Sequence, residues 1–411
     1  MEISLDKVLV PIDTPELMIC GSKSETNRLL ILQAMFPGIV LKNISRCDDS
    51  AVMATALTQR SGVIDIGHAG TAMRFLTAYF ASQEGVEVVL TGSERMQQRP
   101  IAILVEALRS LGADIDYTNQ DGYPPLAIKG CKINKSHVRI SGRVSSQYLT
   151  ALILMGSKLP QGLTLDIADG LTSLPYLKMT QTLIEGIGGK VDLTQERIVV
   201  HPLTPGSIKE FTIGSDWSSA SYWYGFIALS QDSKIRMSYY QGESIQGDAA
   251  VAKIYEALGV STHYHEDQRC IELHKVSPAD TTFVALDLSD TPDLAQTIAV
   301  TCAGLGMACH LRGLHTLKIK ETDRLAALKT ELEKLGAVVA ITDDALILEP
   351  GTQLREDQCI DTYHDHRMAM AFAPLVQKIS LGINEAQVVT KSYPDFWDDL
   401  AKAGGQITFH N

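Results

Sequence analysis

The sequence predicts an α+β protein of two globular domains, each assembled from three copies of one supersecondary module. Three observations lead there. The chain has 411 residues, more than one hydrophobic core usually organises. A helix–glycine–strand pattern recurs along it, and the copies are almost evenly spaced. Hydrophobic residues make up 45% of the chain and mean hydropathy is near zero, the balance of a globular protein able to bury a large core.

Taken in order, the copies are AILVEALRSLGADID (102–116), TQTLIEGIGGKVDL (180–193), VAKIYEALGVSTHY (251–264), LAALKTELEKLGAVVAI (325–341) and DLAKAGGQITF (399–409). Each reads as an amphipathic helix, then a glycine suited to a left-handed cap, then an alternating strand. The marker glycines Gly112, Gly188, Gly259, Gly336 and Gly404 lie 76, 71, 77 and 68 residues apart. A sixth copy, DDSAVMATALTQRSGVIDI (48–66), is shortened: its Gly62 precedes Gly112 by only 50 residues, as though a strand hairpin were missing. Units of about 70 residues exceed the roughly 20–50 of solenoid repeats, so they predict larger α+β modules.

Composition narrows the function. No stretch approaches the roughly 20 apolar residues of a membrane helix. The N-terminal MEISLDKVLVPIDTPELMIC has acids and a proline where a signal peptide has a basic start and apolar core, which reads as cytoplasmic. Seven scattered cysteines without C-x-x-C spacing predict buried free thiols, not a zinc site or disulfide framework. A net charge of −12 argues against a nucleic-acid surface. Any anionic substrate must therefore be held by locally concentrated Lys and Arg.

Such concentrations occur where helices begin. In GSKSETNR (21–28), Gly21 allows close backbone approach and Ser22 with Glu25 has capping-box spacing ahead of Leu29-Leu30-Ile31-Leu32. A helix mouth of this kind favours an anion, and Lys23, Ser24 and Arg28 add two charges and a hydroxyl. GHAGTAMRFL (67–76), VSSQYLTALILMG (144–156), TSLPYLKM (172–179), SDWSSASYW (215–223), TPDLAQTIAV (291–300), KETDRLAAL (320–328), YHDHRMAMAF (363–372) and KSYPDFWDDL (391–400) repeat the arrangement, with Ser173 as a cap ahead of Pro175. Singly, these read as ordinary caps, solvated ion pairs, satisfied histidines (His68, His364) and core tryptophans (Trp217, Trp223, Trp397). Together, Lys23, Arg28, Arg74, Arg99, Lys320, Arg324, Arg367 and Lys391 place eight cations beside helix entrances or Gly/Pro turns of an acidic protein. Aimed at one cleft, they would hold two or more phosphate or carboxylate groups without a metal.

No P-loop, dinucleotide fingerprint, H-E-x-x-H or G-x-S-x-G sequence occurs. The acids best placed for proton transfer are Asp293, beside a proline at a helix start, and Glu321, between Lys320 and Arg324. Cations around a carboxylate favour its charged form, so Glu321 would need an arriving anion before acting as an acid.

GSKSxxNR, AGTAMR, RMxxRP, SSQ, KETDR, DHRMAM and KxxPDF occur in one order over essentially the whole chain, and in this it resembles the 5-enolpyruvylshikimate-3-phosphate synthases. The resemblance implies an inside-out α/β barrel fold of two domains, each three βαβαββ units, with the active site in the interdomain cleft. It also implies that the N-terminal strand belongs to the second domain. The domains would then be 21–214, and 1–20 with 215–411, with boundaries near Cys20–Gly21 and Gly214–Asp216. The implied reaction is metal-free and cofactor-free addition–elimination between two small molecules, shikimate-3-phosphate and phosphoenolpyruvate. A monomeric cytoplasmic enzyme, without nucleic-acid or membrane partners, is expected.

Carried over by motif, Lys23, Ser24, Arg28, Ser145, Ser146, Gln147, Ser173, Asp293 and Lys320 would bind shikimate-3-phosphate. Lys23, Gly70, Arg99, Gln147, Arg324, Arg367 and Lys391 would bind phosphoenolpyruvate. Asp293 is the implied base on the 5-hydroxyl, and Glu321 the proton donor to C3, with Lys23 assisting. Three positions depart from the family pattern: His68 stands for an asparagine, Phe75 for a proline, and Thr316 for a substrate-binding asparagine, so Thr316 is left out of the site. Two alternatives are an enolpyruvyl transferase acting on a UDP-sugar and a non-catalytic anion-binding repeat protein. The first normally carries a reactive cysteine in the loop matching 91–100, which has none here. The second is at odds with the presence of Asp293 and Glu321.

Overall fold

Among the described residues, three of the six sheets follow one rule: two parallel strands joined through a helix, then an antiparallel hairpin added on one side. The computed structural model describes residues 1–8, 16–142, 145–204, 206, 209–277 and 282–410. Residues 9–15 of the N-terminal stretch and Val144 ahead of the SSQ run lie outside them. The chain forms two compact units, residues 21–213, and residues 1–20 with 214–411.

In the 21–213 unit, strands Ser61–Asp65 and Glu87–Thr91 run parallel around helix Gly70–Ala81, and Leu126–Lys129 and Asp114–Tyr117 complete the sheet. His137–Ile140, Leu163–Ile167, Arg197–Val200 and Val191–Leu193 repeat the plan around helix Ser146–Gly156. The third sheet has only the parallel pair Ile39–Lys42 and Lys209–Thr212. Among the described residues no hairpin lies between helix Asp48–Ala56 and strand Ser61–Asp65. Gly62, however, is not a helix cap: helix Asp48–Ala56 ends at Leu57, and Gly62 (φ 90°) lies inside strand Ser61–Asp65 of the next module. With no hairpin to make, the chain passes straight from one module into another. Helices Lys23–Met35, Gly70–Ala81 and Ser146–Gly156 pack on one another. The last is buried at every position from Tyr148 to Gly156, each large apolar side chain contributing about 1.5–3 kcal/mol.

In the other unit, strands Phe283–Asp287, Ala308–Arg312, Leu346–Leu348 and Val339–Ile341 form the regular sheet. Strand Lys234–Ser238 pairs with the hairpin Val260–His265/Cys270–Lys275, and Leu17 bridges Met237 in parallel where a fourth strand would lie. The last sheet has the order Gln358–Ile360, Leu381–Ile383, Glu2–Asp6, Gln406–His410, so the N-terminal strand fills the place a hairpin partner takes elsewhere. Helices Trp217–Leu229, Ala295–Leu305 and His366–Phe372 pack together, nearly buried all round. Trp217, Trp223 and Trp397 are core residues.

The five regular marker glycines all have positive φ, between 83° and 106°, where their helices turn into strands. All seven cysteines are free; five are buried, whereas Cys131 and Cys359 are partly exposed, contrary to the expectation of uniformly buried thiols. No helix among the described residues is long and apolar enough to cross a membrane.

Candidate active site

A helix that follows a parallel strand starts at that strand's C-terminal end with its first N–H groups free, as do Gly70–Ala81, Ser146–Gly156 and His366–Phe372. In the 21–213 unit, Ser22 accepts a hydrogen bond from Glu25 N at 3.4 Å and starts the helix on which Lys23, Ser24 and Arg28 stand. Lys23 Nζ lies 3.6 Å from Asp49 Oδ2. Arg28 is buried. It donates to Thr180 Oγ1 at 2.8 Å, Ser24 O at 2.8 Å, Tyr176 O at 3.3 Å and Thr150 Oγ1 at 3.5 Å. Its guanidinium also lies 5.5 Å from the centre of the Phe75 ring. Burial among these neutral partners lowers the Arg28 pKa to about 10, against the raising influence of Tyr176 and Glu25.

Gly70 opens the next helix, and the reason for a glycine is steric. A Cβ there would lie 2.5 Å from Arg99 NH1 and 3.0 Å from its Cζ. Arg99 is 8% exposed, and its Nε has no hydrogen-bond partner among the described residues. Arg74 braces the loop carrying Arg99 by donating to Pro100 O at 3.1 Å and Gly70 O at 3.3 Å. Ser145 caps the third helix through Gln147 N at 3.2 Å, and Gln147 Nε2 donates to Thr71 Oγ1 at 3.2 Å, tying two helix starts together. Ser146 is the first residue of that helix. Ser173 precedes helix Leu174–Gly186 but, at φ 52°, makes no side-chain capping bond. The side-chain cap predicted for it is therefore not made, and its backbone is left-handed instead. His68 shares a 2.9 Å hydrogen bond with Ser93 Oγ.

In the other unit, KETDR and DHR are not solvated pairs. Arg324, 2% exposed at its side chain, donates to Asp365 Oδ2 at 2.6 Å, Asp293 Oδ1 at 2.9 Å and Glu321 Oε2 at 3.0 Å. Burial opposes its charge, but Asp365, Glu321 and Asp293 outweigh that and raise its pKa. Arg367 NH2 donates to Asp293 Oδ2 at 2.7 Å and NH1 to Tyr222 OH at 3.3 Å. Lys391 Nζ lies 2.8 Å from Glu321 Oε1, and Lys320 Nζ 3.9 Å from Asp293 Oδ1. Asp323 and Asp365 cap the helices that begin at Arg324 and His366. All six expected residues of this unit, Asp293, Lys320, Glu321, Arg324, Arg367 and Lys391, thus belong to one ion cluster.

Sequence reasoning missed Asp365, Tyr222, Asp49 and Ser218, whose Oγ accepts from Arg367 NH2 at 3.4 Å. Asp365 had a signal, a cap position before HRMAM; the others enter through contacts far apart in sequence, for which the chain offers no local pattern.

Buried cations in each of two units of three βα modules, with two acids embedded among those of the second, are the equipment of an enolpyruvyl-transfer fold. Residues 38–400 match the sequence profile of the family described as EPSP synthase (3-phosphoshikimate 1-carboxyvinyltransferase). The chain belongs to the EPSP synthase family. The 3-phosphoshikimate 1-carboxyvinyltransferase of Bacteroides fragilis strain YCH46 is 46% identical over 392 residues, 93% of this chain and 94% of that one. The one from Aliivibrio salmonicida is 34% identical over 411 residues, covering 92% and 94%. Among solved structures, EPSP synthase from Acinetobacter baumannii superposes with TM-score 0.78 at 18% identity, covering 99% of this chain and 100% of that one. The enolpyruvyl transferase NikO from Streptomyces tendae gives 0.73 at 15% identity, covering 99% and 98%.

Proposed function

We propose that this chain transfers the enolpyruvyl group of phosphoenolpyruvate to the 5-hydroxyl of shikimate-3-phosphate and releases inorganic phosphate, as a cytoplasmic monomer. One observation carries the mechanism: the two acids needed for proton transfer are already held by the cations that would bind the substrates. Arg324 and Arg367 grip Asp293, at 2.9 and 2.7 Å, and Lys391 and Arg324 grip Glu321, at 2.8 and 3.0 Å. A phosphate or carboxylate that engages these cations loosens their hold on the acids. Asp293 is then free to take the proton of the 5-hydroxyl as its oxygen attacks C2, and Glu321 is free to hold the proton delivered to C3. In the second half of the reaction C3 returns a proton and the C2–O bond to phosphate breaks.

In this reading Lys23, Ser24, Arg28, Ser145, Ser146, Gln147 and Ser173 join Asp293 and Lys320 on shikimate-3-phosphate. Lys23, Gly70, Arg99 and Gln147 join Arg324, Arg367 and Lys391 on phosphoenolpyruvate. Fixed cations in a water-poor site stabilise charge that develops in the transition state far better than solvent does. The test is phosphate release from phosphoenolpyruvate with and without shikimate-3-phosphate. Release is expected only with both. Release from phosphoenolpyruvate alone, or none with both, overturns the reading; gel filtration checks the monomer.

A further inference from the structure

The reaction has no assigned use for a fourth carboxylate near Arg367, that of Asp248. Its place is set by the sequence SIQGD. Gln246, 6% exposed, accepts from Trp217 N through Oε1 and donates to Ser215 O through Nε2, both at 2.9 Å, which pins the turn Gly247–Ala250 to the start of helix Trp217–Leu229. Asp248, 5% exposed, is thereby set against Ser218, whose hydroxyl donates to Asp248 Oδ2. Ser218 Oγ in turn accepts from Arg367 NH2 at 3.4 Å, the same nitrogen that donates to Asp293 Oδ2 at 2.7 Å. Asp248, Ser218, Arg367 and Asp293 thus form one hydrogen-bonded line drawn from four separate segments of the chain.

Two features make Asp248 unlike a structural acid. Its other oxygen, Oδ1, is buried with no hydrogen-bond partner among the described residues, a costly arrangement for an ionised carboxylate. And the guanidinium it reaches already has Asp293 as counter-ion. Burial, with Asp293 beside it, raises the Asp248 pKa to about 7, against the lowering influence of Arg367 and the Ser218 hydroxyl; Asp216 adds a further push upward. Helix Val251–Glu256, which continues the turn, carries Tyr255 bonded to Thr301 and the exposed Lys253–Glu256 ion pair. Asp293, Arg367, Asp216 and Ser218 are therefore the groups that govern the acid.

We propose that Asp248 is a positioning residue that works through Ser218 on Arg367, and that binding of phosphoenolpyruvate at Arg367 is accompanied by uptake of one proton from solvent onto the Asp248 carboxylate. The inference rests on the reading of Arg367 as a ligand of phosphoenolpyruvate. Ionised, Asp248 competes for Arg367 and repels the incoming anion. Protonated, it leaves the guanidinium to the substrate and keeps its hydrogen bond to Ser218. No bond other than the O–H of the acid is made, and the proton returns to solvent when phosphate leaves.

The test compares the wild type with Asp248→Asn, an uncharged side chain of the same shape. For the wild type, KM for phosphoenolpyruvate is expected to rise about tenfold between pH 6.5 and 8.5, the linkage of one proton to binding. The variant should lose that rise, with KM more affected than kcat; phosphoenolpyruvate's own ionisation is common to both proteins and cancels in their ratio. An unaltered pH profile in Asp248→Asn, or an equal loss of affinity at every pH, overturns the proposal. Carbon-13 titration of the carboxyl signal lost in Asp248→Asn gives a readout independent of turnover. Ionisation near neutral pH, moved upward by phosphoenolpyruvate, supports the proposal; ionisation in the ordinary aspartate range, or no response to phosphoenolpyruvate, refutes it. Absent phosphate release with the carboxyl shift intact would count against the reaction and not against Asp248.

Discussion

Replacing Gly70 by alanine separates what the helix start needs from what the substrate needs. The added Cβ would stand 2.5 Å from Arg99 NH1, 3.0 Å from Cζ and 3.1 Å from NH2, with no other atom as near. Carbon contacts are comfortable at about 3.5–4.0 Å, so the guanidinium must withdraw by roughly 1 Å. The fold should tolerate this. Gly70 does not have a positive φ, the displaced group is the far end of a flexible side chain, and alanine is the better helix former by up to about 1 kcal/mol. The reaction should not tolerate it, because a misplacement of about 1 Å near reacting groups costs up to roughly 10²-fold, about 2.7 kcal/mol. We expect Gly70→Ala to melt no lower than the wild type while KM for phosphoenolpyruvate rises at least about tenfold and KM for shikimate-3-phosphate changes far less. Steady-state phosphate release with each substrate varied in turn, beside a thermal melt, measures all three. An unchanged KM for phosphoenolpyruvate would show that Arg99 is not its ligand.

Other expectations follow from the same geometry. Lys23→Met should fold normally, since its ion pair with Asp49 is a loose 3.6 Å, yet lose more than about 1.4 kcal/mol of transition-state stabilisation, over tenfold in kcat; a stopped assay decides. Asp365→Ala removes a fully buried partner of Arg324 and should cost about 3–5 kcal/mol in urea unfolding, with a loss under about 1 kcal/mol showing that the cluster re-pairs. Glyphosate, a small anion with a carboxylate and a phosphonate, should compete with phosphoenolpyruvate for the same cations, and a noncompetitive pattern would place it elsewhere. The Glu272 carboxyl is held below its ordinary range, chiefly by its hydrogen bond from His274. Its contribution is therefore present above the usual glutamate pKa and lost as pH falls through the depressed value. His274→Ala should flatten the fall in melting temperature on acidification, and an identical acid limb would contradict this.

The sequence revealed most clearly what is encoded locally. A helix that must turn at once into a strand leaves a left-handed glycine, so five of the six modules could be counted, and the motifs at helix starts identified the family. Gly62 misled because a glycine inside a strand has the same signature as one after a helix once the hairpin between modules is deleted. Ser173 misled because a cap-like residue type does not fix its own backbone. KETDR and DHR look like surface charge when taken alone. Only folding brings Asp365 onto Arg324, 41 positions away, and buries both. Asp49, Ser218 and Asp248 were invisible for the same reason: short polar side chains gain meaning from partners that no local period specifies.

The strand Glu2–Asp6 lies between Leu381–Ile383 and Gln406–His410, which has a consequence for the order of events on the ribosome. At about 5–20 residues per second, this strand emerges roughly 20–75 s before either neighbour exists. The 21–213 unit has all its strands in hand long before then and can close during synthesis. The opening strand must instead wait, alternating apolar residues exposed, until the tail arrives to receive it. A nascent chain stalled near residue 350 should thus carry one finished unit and one unhoused strand, the segment for which holding chaperones have most use.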